Sequence, residues 1–136
     1  MFGFFKKEKI EEVNNPELFK QIKKDGVDYA AQRFADVLGQ QIRNKTVAYK
    51  FVLQELDGAI QGNEMAANFA KTCGVPISEF EDSLQNEDIE VEKLQFFLNE
   101  IGLGLYPYMD IAAELRIKIV ISIMKDFKIG KYKNEV

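Results

Sequence analysis

Residues 107–127, PYMDIAAELRIKIVISIMKDF, form the longest apolar stretch of this chain and decide how the rest can fold. Isoleucines at alternate positions from Ile117 to Ile123 favour a half-buried strand. Val120 breaks that alternation, and the preceding IAAEL consists of helix-compatible residues without a turn signal. At about 100° per residue, a polar stripe separates from a broad apolar face. That stripe comprises Asp110, Glu114, Lys118, Ser122 and Lys125. We therefore expect a helix.

The same periodicity predicts further amphipathic helices along the chain. They are expected to begin near Pro16, Val27, Thr46, Glu64 and Asn86. The pattern predicts an all-α fold: a compact single domain, 1–136, of five to seven helices with 107–127 at its centre. Residues 1–13 are expected to form an N-terminal arm or short helix, and 128–136 a loose basic tail. Charges along 107–127 oppose membrane insertion, so we expect no transmembrane segment.

The N-terminal arm combines aromatic and basic side chains. Phe2, Phe4 and Phe5 stand beside lysines in MFGFFKKEK. Such a segment could lie on a membrane surface as a weak interfacial anchor. The competing interpretation, which we favour, is that the aromatic side chains fold back onto the domain itself.

Charge is distributed unevenly over the chain, whose net charge is −4. Residues 51–115 contain thirteen carboxylates and two lysines, whereas the segments before and after are both basic. The acids concentrate between Glu79 and Glu100. Acids at helix starts complement the helix dipole, which is the simplest interpretation. The alternative is an acidic surface that attracts a basic partner.

An apolar pair interrupts this acidic region. Ile89 and Phe96, seven residues apart, lie opposite the apolar face of their helix, among Glu92, Lys93 and Glu100. Apolar anchors with a polar rim are typical of a protein-binding surface; alternatively, another part of the chain, such as the N-terminal arm, covers the pair. Phe51 also falls outside the apolar arc of its helix and is a second candidate contact.

The segment Gly102–Tyr108 is apolar for a connection between helices. We expect it to pack on the core, with Pro107 in the first turn of the next helix. The alternative is an interface or ligand site formed by Tyr106 and Tyr108, and the least favoured function is binding of an apolar small ligand near these tyrosines and Met109.

The sequence argues against catalysis. It contains no histidine, which removes the commonest general base and metal ligand. Cys73 has no histidine to activate it, and we expect it in the core. Neither a phosphate-binding glycine loop nor an EF-hand occurs, so we expect no enzyme activity, cofactor or metal site.

Composition also bears on nucleic-acid binding and on location. Basic residues divide between the chain ends, with a patch only around Lys118 to Lys133, so nucleic acid is not an expected partner. A single cysteine is compatible with a reducing compartment, and we expect a cytoplasmic protein.

These features favour a non-catalytic protein–protein interaction module that binds a basic partner through its acidic surface. In charge and size it is analogous to an immunity protein or antitoxin. The alternative is a homo-oligomeric assembly component with Phe51 or the Tyr106–Tyr108 loop at its interface.

The surroundings of Arg116 provide a check on the predicted burial of 107–127, because this residue falls within the apolar face of the helix. A buried unpaired arginine would be strongly destabilising. We expect an ion pair with Glu55 or Glu100; otherwise Arg116 would line a surface groove.

Overall fold

The computed structural model describes residues 12–59, 61–73 and 88–132. Within these ranges the chain is a compact bundle of six helices without a strand, which confirms the all-α prediction. The helices are α1 (Pro16–Asp25), α2 (Val27–Gln41), α3 (Lys45–Leu56), α4 (Gly62–Cys73), α5 (Ile89–Gly104) and α6 (Met109–Lys128). Residues 1–11 of the expected N-terminal arm lie outside the described ranges.

Short polar side chains set the starts of three helices. Asn15 accepts a hydrogen bond from the Leu18 amide and precedes the proline that opens α1. Asn44 accepts one from Val47 at the start of α3. Asp88 accepts bonds from two amides in the first turn of α5, which begins three residues later than Asn86. These caps fix where each helix begins.

Two glycines are required where the chain turns between helices. Gly26 has φ +90° between α1 and α2, a conformation that other residues rarely adopt. At Gly62, a Cβ atom would lie 1.8 Å from the Leu56 carbonyl oxygen. Helix α3 ends at Leu56, and Gly62 is the first residue of α4.

Helix α6 lies at the centre of the bundle. It packs most extensively along α2 and also contacts α3, α4 and α5. Its buried face includes Leu115, Ile119, Val120 and Ile123, none of which is exposed to solvent. At its C-terminal end, Phe127 contacts the rings of Tyr49 and Phe69. The central position expected for 107–127 therefore applies to Met109–Lys128.

The prediction that Phe51 is a surface contact is wrong, because this side chain is fully buried. Helix α3 packs against α4, α5 and α6. Since neighbours surround it, a side chain outside its main apolar arc still meets another helix. Val47 is buried for the same reason.

The connection between α5 and α6 is shorter than expected. Helix α5 continues to Gly104, and Pro107 precedes α6 instead of lying in its first turn, because Tyr108 is the N-cap. Leu105 is buried, whereas Tyr106 is exposed. Tyr108 stacks on Phe19 at 4.6 Å between ring centroids. Leu105 and Tyr108 therefore pack on the domain, whereas Tyr106 faces solvent.

The expected loose tail is described as far as Tyr132. Tyr132 is buried and approaches Phe127 and Gly39, so the chain packs on the domain at this point. Residues 133–136 lie outside the described ranges.

Candidate contact surface

Helix α5 carries three exposed apolar side chains in one line. Ile89, Phe96 and Leu103 are 68%, 64% and 59% exposed, respectively. Seven residues make nearly two turns of an α-helix, so each residue lies only about 20° from the next around the axis. We call these three residues the outer stripe. The buried residues of α5 face the opposite direction, toward the core.

Acidic side chains flank the outer stripe. Glu92 and Glu100 are exposed on either side of Phe96, and Lys93 is the exposed base beside them. Asp88 is not part of this acidic rim, because it caps α5 and forms a 3.2 Å ion pair with Lys50. We refer to Glu92, Glu100 and the outer stripe together as the contact surface.

The structure brings together four residues that the sequence predicted for this surface and adds a fifth. Ile89, Glu92, Phe96 and Glu100 share the outer half of α5. Leu103 was missed because the sequence placed it in an apolar connection beyond the helix. Its seven-residue spacing from Phe96 was the available signal. The acids at 79–87 lie outside the described residues.

A groove of about 380 Å³ adjoins Leu103, between the C-terminal half of α5 and the N-terminal half of α6. Its apolar lining comprises Leu98, Ile101, Gly102, Leu103, Met109, Ala112, Ala113 and Ile119. Small residues at three of these positions leave the space open. Of the three residues predicted for a ligand pocket, Met109 lines the groove, whereas Tyr106 and Tyr108 lie outside it.

Arg116 also lines this groove, and it pairs with Glu55, one of its two predicted partners. The distances are 2.5 Å from Nε to Oε1 and 2.9 Å from Nη2 to Oε2. Glu55 also accepts a hydrogen bond from Gln95, and Asn99 accepts one from Arg116 at 2.7 Å. Glu100 was the wrong partner, because it lies on the exposed outer face of α5.

The Arg116–Glu55 pair has the properties of a structural link. The Glu55 side chain is only 6% exposed, whereas that of Arg116 is 37% exposed. The hydrogen bond to Glu55 raises the pKa of Arg116, and partial burial opposes this effect. The pair joins α3 to α6 and, through Gln95 and Asn99, to α5. The guanidinium and the carboxylate satisfy each other's charge through two hydrogen bonds, as is typical of a structural ion pair.

Two lysines in the described ranges also form ion pairs. Lys118 contacts Asp28 and Glu114, and Lys131 contacts Asp36 and Asp126. No group of three or more His, Cys, Asp or Glu residues there is arranged to hold a metal ion. Cys73 ends α4, and its side chain lies outside the described part.

No protein-family model matches the chain, and comparisons with curated proteins and with solved structures likewise give no match. None of the helices in the described ranges combines the length and apolar character needed to cross a bilayer. Function must therefore be inferred from the contact surface itself.

Proposed function

We propose that this chain is a non-catalytic protein–protein interaction module whose contact surface is the outer face of α5. The observation that carries the proposal is the outer stripe, three large apolar side chains left in solvent on a helix otherwise anchored to the core. Apolar anchors surrounded by polar groups contribute most of the binding free energy in many interfaces.

The flanking charges favour a basic partner. Glu92 and Glu100 lie beside Phe96, and residues 51–115 as a whole are strongly acidic. Complementary charge accelerates association and excludes partners of like charge. A partner with an apolar ridge bordered by Lys or Arg would suit both features. An acidic protein of this size that masks a basic protein would act as immunity proteins and antitoxins do.

Charge also argues against a second copy of the chain on this surface. In an antiparallel pairing centred on Phe96, Glu92 of one copy would lie opposite Glu100 of the other. Like charges at such positions are destabilising. We therefore rank homo-oligomerisation through α5 below binding of a basic protein.

Photo-crosslinking in cells of the native organism tests the proposal. A benzoylphenylalanine at position 96 should capture a protein of high isoelectric point. The same probe at Tyr29, an exposed aromatic residue on α2, should not. Raising salt from about 0.1 M to 1 M shortens the Debye length from about 10 Å to 3 Å and should lower the yield.

A charge-reversed variant provides the decisive control. Glu92→Lys combined with Glu100→Lys leaves the outer stripe intact but reverses the rim, so crosslinking from position 96 should be lost. Capture that survives this reversal would contradict a basic partner. Capture of the chain itself would favour the homo-oligomeric alternative.

A further inference from the structure

We propose that residues 1–11 of the N-terminal arm bind the outer stripe of the same molecule and so compete with the partner. The competition rests on the proposed function; the binding of the arm does not. Three features of the molecule carry the inference: where the arm joins the described chain, how far it reaches, and its chemistry.

The arm joins the domain at one end of the outer stripe. The backbone amide of Asn14 donates to the Tyr106 carbonyl at 3.0 Å, and that of Asn15 donates to Gly104 at 2.8 Å. The Asn14 side chain donates to the Leu103 carbonyl at 2.8 Å. Val13 is buried. These contacts hold the arm's point of attachment beside Leu103, where the stripe and the groove meet.

Eleven residues are enough to follow the stripe. As a helix they would span about 16 Å at 1.5 Å per residue, and fully extended about 36–40 Å. Leu103 to Phe96 is about 10 Å along the axis of α5, and Leu103 to Ile89 about 21 Å. An arm attached beside Leu103 therefore reaches Phe96 in either conformation.

The chemistry of the arm complements that of the surface in two respects. Phe2, Phe4 and Phe5 can cover apolar side chains that nothing in the described chain covers, and removing apolar area from water favours that contact. Lys6, Lys7 and Lys9 supply the charge that the acidic rim would attract. Because the arm is tethered, it needs only weak affinity to occupy the site.

A single tryptophan can report this contact, because the chain contains none. In the full chain with Phe4→Trp, we expect acrylamide to quench the fluorescence roughly threefold less than in free N-acetyltryptophanamide. That ratio corresponds to about two thirds of the molecules having the arm bound. Adding Leu103→Asp should restore quenching, whereas Val37→Asp, at an exposed position on α2, should leave the introduced indole protected. Circular dichroism checks that both double variants are folded.

Three results would overturn the inference: quenching of the introduced indole as strong as in the free compound, equal loss of protection in both double variants, or protection that disappears on dilution. The last would show an arm bound to a second copy. Since the fluorescence is measured without a partner, failure here leaves the crosslinking result at position 96 untouched. Conversely, a failed crosslink does not alter the fluorescence.

Discussion

Arg116 on α6 and Glu55 on α3 form a two-point ion pair that joins the central helix to its neighbour. The two residues are distant in sequence, and the carboxylate is almost completely buried. Gln95 and Asn99 on α5 extend the contact to a third helix. This polar link therefore reaches one side of the helix that carries the contact surface.

Removing Arg116 should destabilise the fold more than removing an exposed lysine. Arg116→Met leaves Glu55 buried without its cation, and we expect the free energy of unfolding to fall by about 2–3 kcal/mol. This is less than for a fully buried pair, because solvent screens the partly exposed Arg116. Lys118→Met, which breaks the exposed pairs with Asp28 and Glu114, should lower the free energy of unfolding clearly less than Arg116→Met does. Urea denaturation followed by circular dichroism measures both.

The double variant separates the ion pair from its packing. Replacing Glu55 as well, with Met, removes the stranded carboxylate, so most of the stability lost in Arg116→Met should return. A double variant no more stable than Arg116→Met alone would show that the arginine acts through packing of its side chain.

The sequence predicted an ion pair for Arg116 but neither its partner nor the surroundings of α3. An arginine within an apolar arc needs a carboxylate, and Glu55 and Glu100 were both candidates; the packing of α3 against α6 decides for Glu55. Phe51 was misplaced because a helical wheel assumes one buried face, whereas α3 has neighbours on several sides. The number of neighbouring helices is a tertiary property that the periodicity of one segment does not contain.

The sequence predicted most residues of the contact surface but missed one. Ile89 and Phe96 stood out because they oppose the buried face of a strongly patterned helix. Leu103 was missed because two glycines beside it suggested a chain reversal. In the structure Gly102 and Gly104 remain helical, since α5 is held by its core residues and the reversal comes one turn later.

Gly62 and Gly102 should respond to alanine in opposite directions. A Cβ at Gly62 collides with the Leu56 carbonyl, so Gly62→Ala requires a shift of the backbone between α3 and α4. We expect a loss of about 2 kcal/mol or more, as for other overpacked sites. At Gly102 nothing in the described chain lies within 4 Å of the added atom, and Gly102→Ala should stabilise α5 by up to about 1 kcal/mol.

Thermal unfolding of the two alanine variants, measured side by side, checks this prediction. Equal melting temperatures would mean that the chain between α3 and α4 rearranges freely around position 62.

Tyr132 should make the fold sensitive to alkaline pH. Its hydroxyl is buried without a hydrogen-bond partner among the described residues, and burial raises the pKa of this group above its ordinary value of 10.0. The unfolded chain therefore loses the proton first, so the neutral phenol's contribution is complete below pH 10 and is lost as pH rises above it. Tyr132→Phe should show a smaller loss of stability above pH 10.

At neutral pH the same substitution should do little harm. Removing a buried hydroxyl that lacks a partner in the described chain is expected to change the free energy of unfolding by less than about 1 kcal/mol, in either direction. Urea titrations of both proteins at neutral and alkaline pH give the difference directly, since the lysines that also titrate are common to both. Parallel pH profiles would contradict a buried phenol.

Phe96→Asp should separate binding from folding. The side chain is mostly exposed, so the free energy of unfolding should change by less than about 0.5 kcal/mol. In an interface, the same change would bury a charge in place of an apolar anchor, and we expect affinity for the partner to fall by at least about 2 kcal/mol, roughly 30-fold. Val37→Asp is the matched control on α2. Isothermal titration with the crosslinked partner, purified separately, measures the affinities. Retained binding by Phe96→Asp would remove α5 from the interface, whereas equal losses in both variants would point to an effect of added negative charge.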